Sequence, residues 1–295
     1  MRILVTGGSG FVGKALLPLL EHHDLLLLSR ANHSSESPHL SYLQADLSEP
    51  AQWENAVRNF SPEGCIHLAW ASLPDYSFSQ CFKNFNTSLH LFNFLNNIGC
   101  KKIFAAGSGW EYGDLQGRIK EKQSPGPMSL FASFKTALRV TGESLARANN
   151  TDFIWGRIFF VYGPDQRSTS LIPTCYQALR NNSKPDIRNP NGENDFIYVS
   201  DVARAIVALV DTPVVSGPYN IGSGSSTKVT AVCNLIAQTL NVKNPFPPPD
   251  PSSEEISPRA DISLIQKETD WCPKVQIEEG IENTIKDLEK NHAST

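Results

Sequence analysis

Short apolar runs recur along the first half of the chain, each followed by a segment whose apolar residues return every three or four positions. The runs "RILVTG", "LLLLSR", "LSYLQAD", "GCIHLAW", "KKIFAAGS" and "DFIWGRIFFVYG" read as buried strands, and 11–22, 79–98 and 130–148 as amphipathic helices. Strands that are apolar on both faces and alternate with helices predict βαβ units, hence an α/β fold with a parallel sheet covered by helices on either side. Beyond about residue 165 the texture changes. Helical patterns at 170–180, 200–211, 228–240 and 278–290 are separated by "RNPNGEND", "NIGSGSST" and the proline-rich "NPFPPPDPSSEEISP". This predicts a first domain over 1–165 and a smaller α/β lobe over 166–295, with part of 190–222 returning to the first. The proline-rich stretch reads as an ordered loop, and no internal repeat is visible.

A chain of 295 residues is long enough to bury roughly three quarters of its unfolded surface in a core of its own. Its 26 basic and 30 acidic residues leave a formal charge of -4, with no run of lysines or arginines. Nucleic acid and anionic membrane, which need a basic patch, are therefore disfavoured as partners. The cysteines at 65, 81, 100, 175, 233 and 272 stand singly, with no CxxC pair and no histidine beside one at zinc-ligand spacing. Neither a disulfide framework nor a metal site is indicated, and a reduced cytoplasmic setting is expected. The N-terminus runs directly into a strand, and no stretch approaches eighteen consecutive apolar residues, so a soluble, non-secreted protein is expected.

The first strand ends in "TGGSGFVG", which places Gly7, Gly10 and Gly13 between a strand and a helix. The first glycine permits a tight turn, the second a close approach of backbone to a pyrophosphate, and the third close packing of helix on strand. The helix start then presents unpaired N–H groups to the phosphates. Three glycines alone also make an ordinary turn; following the first strand of a βαβ series, they favour a dinucleotide and a doubly wound Rossmann sheet. About 20 residues on, an NAD site ends its second strand in Asp or Glu to hold the ribose 2′-hydroxyl. Here that strand ends in Arg30, whose guanidinium suits an added 2′-phosphate, so NADP(H) is the expected cofactor. The competing reading of Arg30 is a solvated loop residue. Asp46, after the third strand, reads either as a contact to the adenine end or as a turn former.

The ordered series "TGGSGFVG" (6–13), "IHLAW" (66–70), "GSGWEYG" (107–113), "FASFK" (131–135), "YGP" (162–164), "DFIYVSDVARAI" (195–206), "YNIGSG" (219–224) and "PRADIS" (258–263) resembles the extended short-chain dehydrogenase/reductases acting on nucleotide-activated sugars. The resemblance spans nearly the whole chain. It implies a cofactor cleft formed by Gly7, Gly10, Phe11, Val12, Gly13, Arg30, Asp46, Leu47, Leu68 and Ala69, with Lys135 on the nicotinamide ribose. It also implies a nucleotide-diphosphate sugar as substrate, with Arg259 reaching the diphosphate; a surface salt bridge is the alternative for that arginine. Asn194 stands where the family often has Arg, and Phe160 where it often has Asn, which implies a different diphosphate or sugar pose, with Arg167 or Arg157 as candidates to compensate. By the same analogy, helices 79–98 and 130–148 resemble a four-helix homodimer interface.

The family's chemistry rests on a Ser or Thr with a YxxxK pair, and Ser108 and Lys135 fall at two of these positions. Phe131 occupies the third. Residues four apart share a helix face, so the lysine ammonium can stabilise a phenolate and bring a phenol of pKa ~10 nearer to working pH. Phenylalanine cannot move that proton. Two accounts fit: a Tyr→Phe substitution that disables an otherwise intact site, or a chain that has lost or moved this chemistry. The retained glycines, Ser108, Lys135 and Arg259 favour the first.

Sugar 4,6-dehydratases carry Asp-Glu directly after their Thr, whereas Gly109 and Trp110 follow Ser108. An NADP-type strand end favours net reduction over epimerisation. The expected activity is therefore reduction of a nucleotide-linked 4-keto-deoxysugar by NADPH. A nucleotide-sugar epimerase is the second reading and a silent dinucleotide-binding module the third. Trp70, Trp110 and Glu111 are candidates for the sugar pocket, with core packing as the alternative for the aromatics.

Overall fold

In the computed structural model, residues 1–32, 37–187, 189–247 and 257–293 are described. The first half contains β1 (Arg2–Thr6), α1 (Phe11–Leu16), β2 (Asp24–Ser29), β3 (Leu40–Gln44), α2 (Glu54–Phe60), β4 (Gly64–His67), α3 (Phe78–Asn97), β5 (Lys102–Ser108), β6 (Arg118–Ile119), α4 (Leu130–Asn149), β7 (Asp152–Ile158) and β8 (Phe160–Tyr162). There follow α5 (Leu171–Arg180), β9 (Glu193–Asn194), β10 (Phe196–Tyr198), α6 (Val199–Asp211), β11 (Gly217–Ile221), β12 (Thr227–Lys228), α7 (Val229–Thr239), β13 (Arg259–Ala260), α8 (Ser263–Thr269) and α9 (Ile277–Ala293).

Seven strands form one parallel sheet in the order β11-β7-β5-β4-β1-β2-β3. This is a Rossmann-like α/β fold, doubly wound from β1 outward. Side chains alternate faces along each strand, so the apolar runs feed two cores at once. Ile3, Val5, Leu27, Ile66 and Ile154 meet Val202, Ile206 and Leu209 of α6 on one face. Leu4, Leu26, Cys65, Ile103 and Trp155 meet Val57, Leu91, Leu95 and Leu138 of α2, α3 and α4 on the other. A third core, around Tyr162, Tyr176, Phe196, Val232, Ile236 and Ile281, joins α5, α7 and α9. Thus β11 and α6 lie on the main sheet although they follow α5 in the chain.

Two elements differ from the sequence pattern. The helix expected over 11–22 is α-helical only to Leu16 and continues as a 3-10 turn over Leu17–Leu20. Pro18 lacks the N–H needed to continue the α-helical ladder. The strand expected over 152–163 breaks at Phe159, whose N–H donates to Ile221 O at 3.0 Å. The chain leaves the sheet there, and β8 pairs instead with β10. The middle of the proline-rich stretch, 248–256, lies outside the described residues. Among the described residues no helix is long and apolar enough to cross a membrane.

Candidate active site

A cavity of about 630 Å³ opens at the carboxyl ends of the central strands, within the ~300–1,000 Å³ usual for ligand sites. Gly7, Gly10, Phe11, Val12 and Gly13 line it from the β1–α1 turn, and Leu68, Ala69 and Trp70 from the end of β4. The turn leaves no room for side chains. Gly7 has φ +74°, and a Cβ there would sit 2.6 Å from Ala69 N; one on Gly13 would sit 2.3 Å from Gly8 O. This cradle of bare backbone fits a pyrophosphate, and the residues present fit a dinucleotide along the strand ends.

Arg30, Asp46 and Leu47 line the far end of the cavity. The Asp46 carboxylate accepts hydrogen bonds from Ser48 N and Ser48 Oγ, both at 2.8 Å. Those bonds hold its pKa below the usual carboxylate range, helped by the charges of Lys83 and Arg30. Asp46 is thus a turn former that also faces the cavity. Lys83, on the exposed side of α3, lines the same end. Sequence reasoning missed it, because a lysine on an amphipathic helix reads as solvated. One residue on, Asn84 pins the β4–α3 loop: Oδ1 accepts from Ala71 N at 2.8 Å and Nδ2 donates to Ala71 O at 3.1 Å.

The corner that brings Ser108, Phe131 and Lys135 together forms where α4 starts beside the end of β5. Ser129 caps α4, its Oγ accepting from Ala132 N at 3.3 Å. One helical turn then brings Phe131 and Lys135 onto the same buried face. Lys135 Nζ donates to Ala106 O at 2.8 Å and lies 4.0 Å from the centroid of the Trp70 ring and 6.0 Å from that of Phe131. Burial lowers the pKa of Lys135 to about 8, with the Glu111 charge pulling the other way. Behind it, burial and the Lys135 charge bring His67 down to about 3, so it is a neutral bridge between Thr6 Oγ1 (2.7 Å) and Ser88 Oγ (2.9 Å).

The Phe131 ring is enclosed by aromatic neighbours: Trp70 at 5.5 Å, Tyr76 at 5.2 Å and Trp110 at 5.8 Å between centroids. Tyr76, from the β4–α3 loop, is the member of this group that sequence reasoning did not single out. A tyrosine distant in sequence from any lysine carries no local signal. Ser108 ends β5 and caps a 3-10 turn over Gly109–Tyr112, Oγ accepting from Trp110 N at 3.2 Å.

Other candidates sit elsewhere. Glu111 is fully buried and accepts from Ser108 N (2.8 Å), Trp155 Nε1 (2.8 Å) and Arg157 Nε (3.2 Å). It braces the end of β5 from the interior and is absent from the cavity lining. Arg157 is likewise committed: it pairs with Glu111, donates to Glu121 O at 3.0 Å and stacks over Tyr112 at 4.3 Å. No guanidinium remains there to compensate for Asn194. Arg167 lines the cavity beside Gln166 and Ser170. Arg259 lies on β13, paired with β6 and outside the cavity lining, and its side chain makes no salt bridge or hydrogen bond among the described residues.

This fold and cavity place the chain among proteins that bind a nicotinamide dinucleotide at a Rossmann turn. Residues 3–222 match the NAD dependent epimerase/dehydratase family, and the chain belongs to that family. It is 27% identical to the dTDP-4-dehydro-6-deoxyglucose reductase of Escherichia coli over 97% of both chains. Its fold is similar to that of the UDP-glucose 4-epimerase of Thermotoga maritima, solved with UDP-glucose (TM-score 0.86, 22% identity, 99% of this chain and 100% of that one). It is similar also to a Tyr-to-Phe mutant of the UDP-glucuronic acid 4-epimerase of Bacillus cereus, solved with a 4-fluoro UDP-sugar and NAD (TM-score 0.85, 18% identity, 99% and 100%).

Proposed function

We propose that the protein is a nucleotide-sugar ketoreductase, using NADPH to reduce a nucleotide-linked 4-keto-deoxysugar, and that Phe131 impairs it in the present chain. The observation that carries this reading is the cleft lined by Arg30 at one end and by Trp70 and Ala106 at the other, with Lys135 directly behind those two, its Nζ donating to Ala106 O at 2.8 Å and lying 4.0 Å from the Trp70 ring centroid. The 27% identical reductase supports the direction of reaction. NADPH bound in the cleft supplies the hydride.

Arg30 and Lys83 hold the 2′-phosphate, the glycine turn holds the pyrophosphate, and Lys135 holds the nicotinamide ribose. Ser108 Oγ donates to the keto oxygen and polarises it. Trp70, Trp110 and the aromatic ring at 131 exclude water from the sugar ring. The second lobe, 166–295 apart from the part of 190–222 that returns to the first domain, binds the nucleotide, with Arg167 and Arg259 meeting the diphosphate. The proton due to the sugar oxygen has no donor at position 131. A hydroxyl restored there lies one helical turn from the Lys135 ammonium, which lowers its pKa. Homodimers form through the outer faces of α3 and α4, where Phe78 and Phe82 stack 5.8 Å apart and are 62% and 46% exposed.

The test is oxidation of NADPH and of NADH with a panel of nucleotide 4-keto sugars, by the parent chain and by Phe131→Tyr. The expected result is preference for NADPH and a ~10²–10⁴-fold higher kcat with tyrosine, the contribution of a positioned acid. If neither form oxidises NADPH with any substrate while both bind it, the ketoreductase reading falls. The nucleotide-sugar epimerase and the silent binding module, the latter marked by a native phenylalanine at 131, then take its place.

A further inference from the structure

On the side of the sheet opposite the cleft, three side chains converge from distant parts of the chain. His22 and His23 follow the 3-10 turn after α1, and Asp211 ends α6. His22 Nε2 lies 2.8 Å from Asp211 Oδ2, and His23 Nε2 lies 2.8 Å from Asp211 Oδ1. The donor atoms of all three lie within 4.8 Å of one another, and the two imidazole rings are 4.0 Å apart. His23 is fixed by burial (7% exposed), while His22 (54%) and Asp211 (31%) face solvent and can adjust.

We propose that His22, His23 and Asp211 form a binding site for one divalent transition-metal ion of the zinc class. Two imidazole nitrogens and a carboxylate are a donor set that suits zinc, with water completing the tetrahedron. Ligands at the usual ~2.0–2.1 Å from a tetrahedral ion lie about 3.3 Å apart; the 2.8 Å nitrogen–oxygen pairs open by about 0.5 Å, and because the two histidines face different carboxylate oxygens and the donors lie within 4.8 Å, the widest pair closes by up to about 1.5 Å. Coordination needs the Nε2 lone pair of each imidazole, so the Nε2 hydrogen now shared with the carboxylate is replaced by the Nδ1–H tautomer, any second proton passing to solvent.

Two cations bear on the site. The N-terminal amine lies 3.3 Å from His23 Nδ1. Lys102 Nζ donates to Val210 O at 2.7 Å and Thr212 O at 2.9 Å, on either side of Asp211. Both oppose a second positive charge, which makes this a site of moderate affinity. Its occupant ties the turn after α1 to the C-terminal end of α6.

The test is calorimetric titration of the metal-stripped full-length protein with Zn²⁺, repeated with Co²⁺ and read by visible absorption. The parent, His22→Ala, Asp211→Asn and Cys272→Ser are compared, with circular dichroism confirming that each is folded. The expected result is one ion per chain in the parent and in Cys272→Ser. Affinity falls at least ~10-fold in the other two variants, and Zn²⁺ raises Tm only where the site is intact. The proposal is overturned by no saturable binding up to millimolar Zn²⁺. It is overturned equally by unchanged binding in His22→Ala or Asp211→Asn, or by loss of binding in Cys272→Ser.

Discussion

Replacing Lys135 with methionine isolates the energetics of a charge buried beneath the cleft. Burial brings this ammonium from 10.5 to about 8, so at neutral pH the folded state carries a charge held at a cost of about 3 kcal/mol relative to the unfolded chain. Between pH ~8 and ~10.5 the unfolded chain holds more protons than the folded one, and stability therefore rises with pH across that window. The cost is fully present below pH 8 and vanishes above 10.5. Methionine fills similar volume without the charge but leaves the Ala106 carbonyl without its Nζ donor, which costs about 1–3 kcal/mol at every pH. At pH 7 the two effects nearly cancel, so Lys135→Met is within about 2 kcal/mol of the parent. The pH dependence does not cancel: from pH 7 to 9.5 the parent gains about 2 kcal/mol on the variant. Urea unfolding of both proteins across that range measures this difference. A parent–variant difference that stays constant refutes the assignment of a strained ammonium to Lys135.

Other substitutions probe separate parts of the molecule. Asp195 is buried and accepts from Ser223 N, Ser223 Oγ, Gly224 N and Ala260 N at 2.6 to 3.0 Å; Asp195→Ala leaves these donors unpaired and is expected to cost about 3–5 kcal/mol in urea unfolding, a loss under about 1 kcal/mol contradicting the account. Arg30→Ala is expected to weaken NADPH at least ~10-fold, the worth of a charge-assisted hydrogen bond, while leaving NADH unchanged. Fluorescence titration with each cofactor reads it, and an equal loss for both removes Arg30 from the 2′-phosphate.

What was legible in the sequence is what local pattern encodes. β1 reads as a strand because Ile3, Leu4 and Val5 are all buried, on alternating faces, and the glycine turn reads as a turn because Gly7 and Gly13 have neighbours where a Cβ would go. Arg30 was visible because a fixed spacing from those glycines leads to it. Long-range meetings carry no such spacing. Tyr76 and Lys83 reach the site from a loop and a helix that look ordinary, and Asp211 meets His23 across 188 positions. The reverse error comes from the same cause. Glu111 and Arg157 stand near strand ends as site residues do, yet each is the other's partner in the interior.

The pairing of Glu111 with Ser108 and Arg157 ties the two sides of the aromatic cluster around Phe131 to different supports. The Ser108 side is riveted to the sheet: Tyr112 Oη donates to Asn220 Oδ1 at 2.6 Å, and Asn220 N donates to Glu121 Oε1 at 3.1 Å, so the segment from 108 to 121 is fastened to β11. The opposite side, the loop bearing Tyr76, is tied at its two ends, at Ala71 by Asn84 and Gln80 and at Ser77 as the cap of α3, with Tyr76 between them resting on the Phe131 and Trp110 rings. On the proposed function, a sugar bound beside this aromatic cluster would meet one bank tied to the sheet and one built on a loop. The sheet-bound bank holds Ser108 at one fixed place at the end of β5, whatever the loop opposite does.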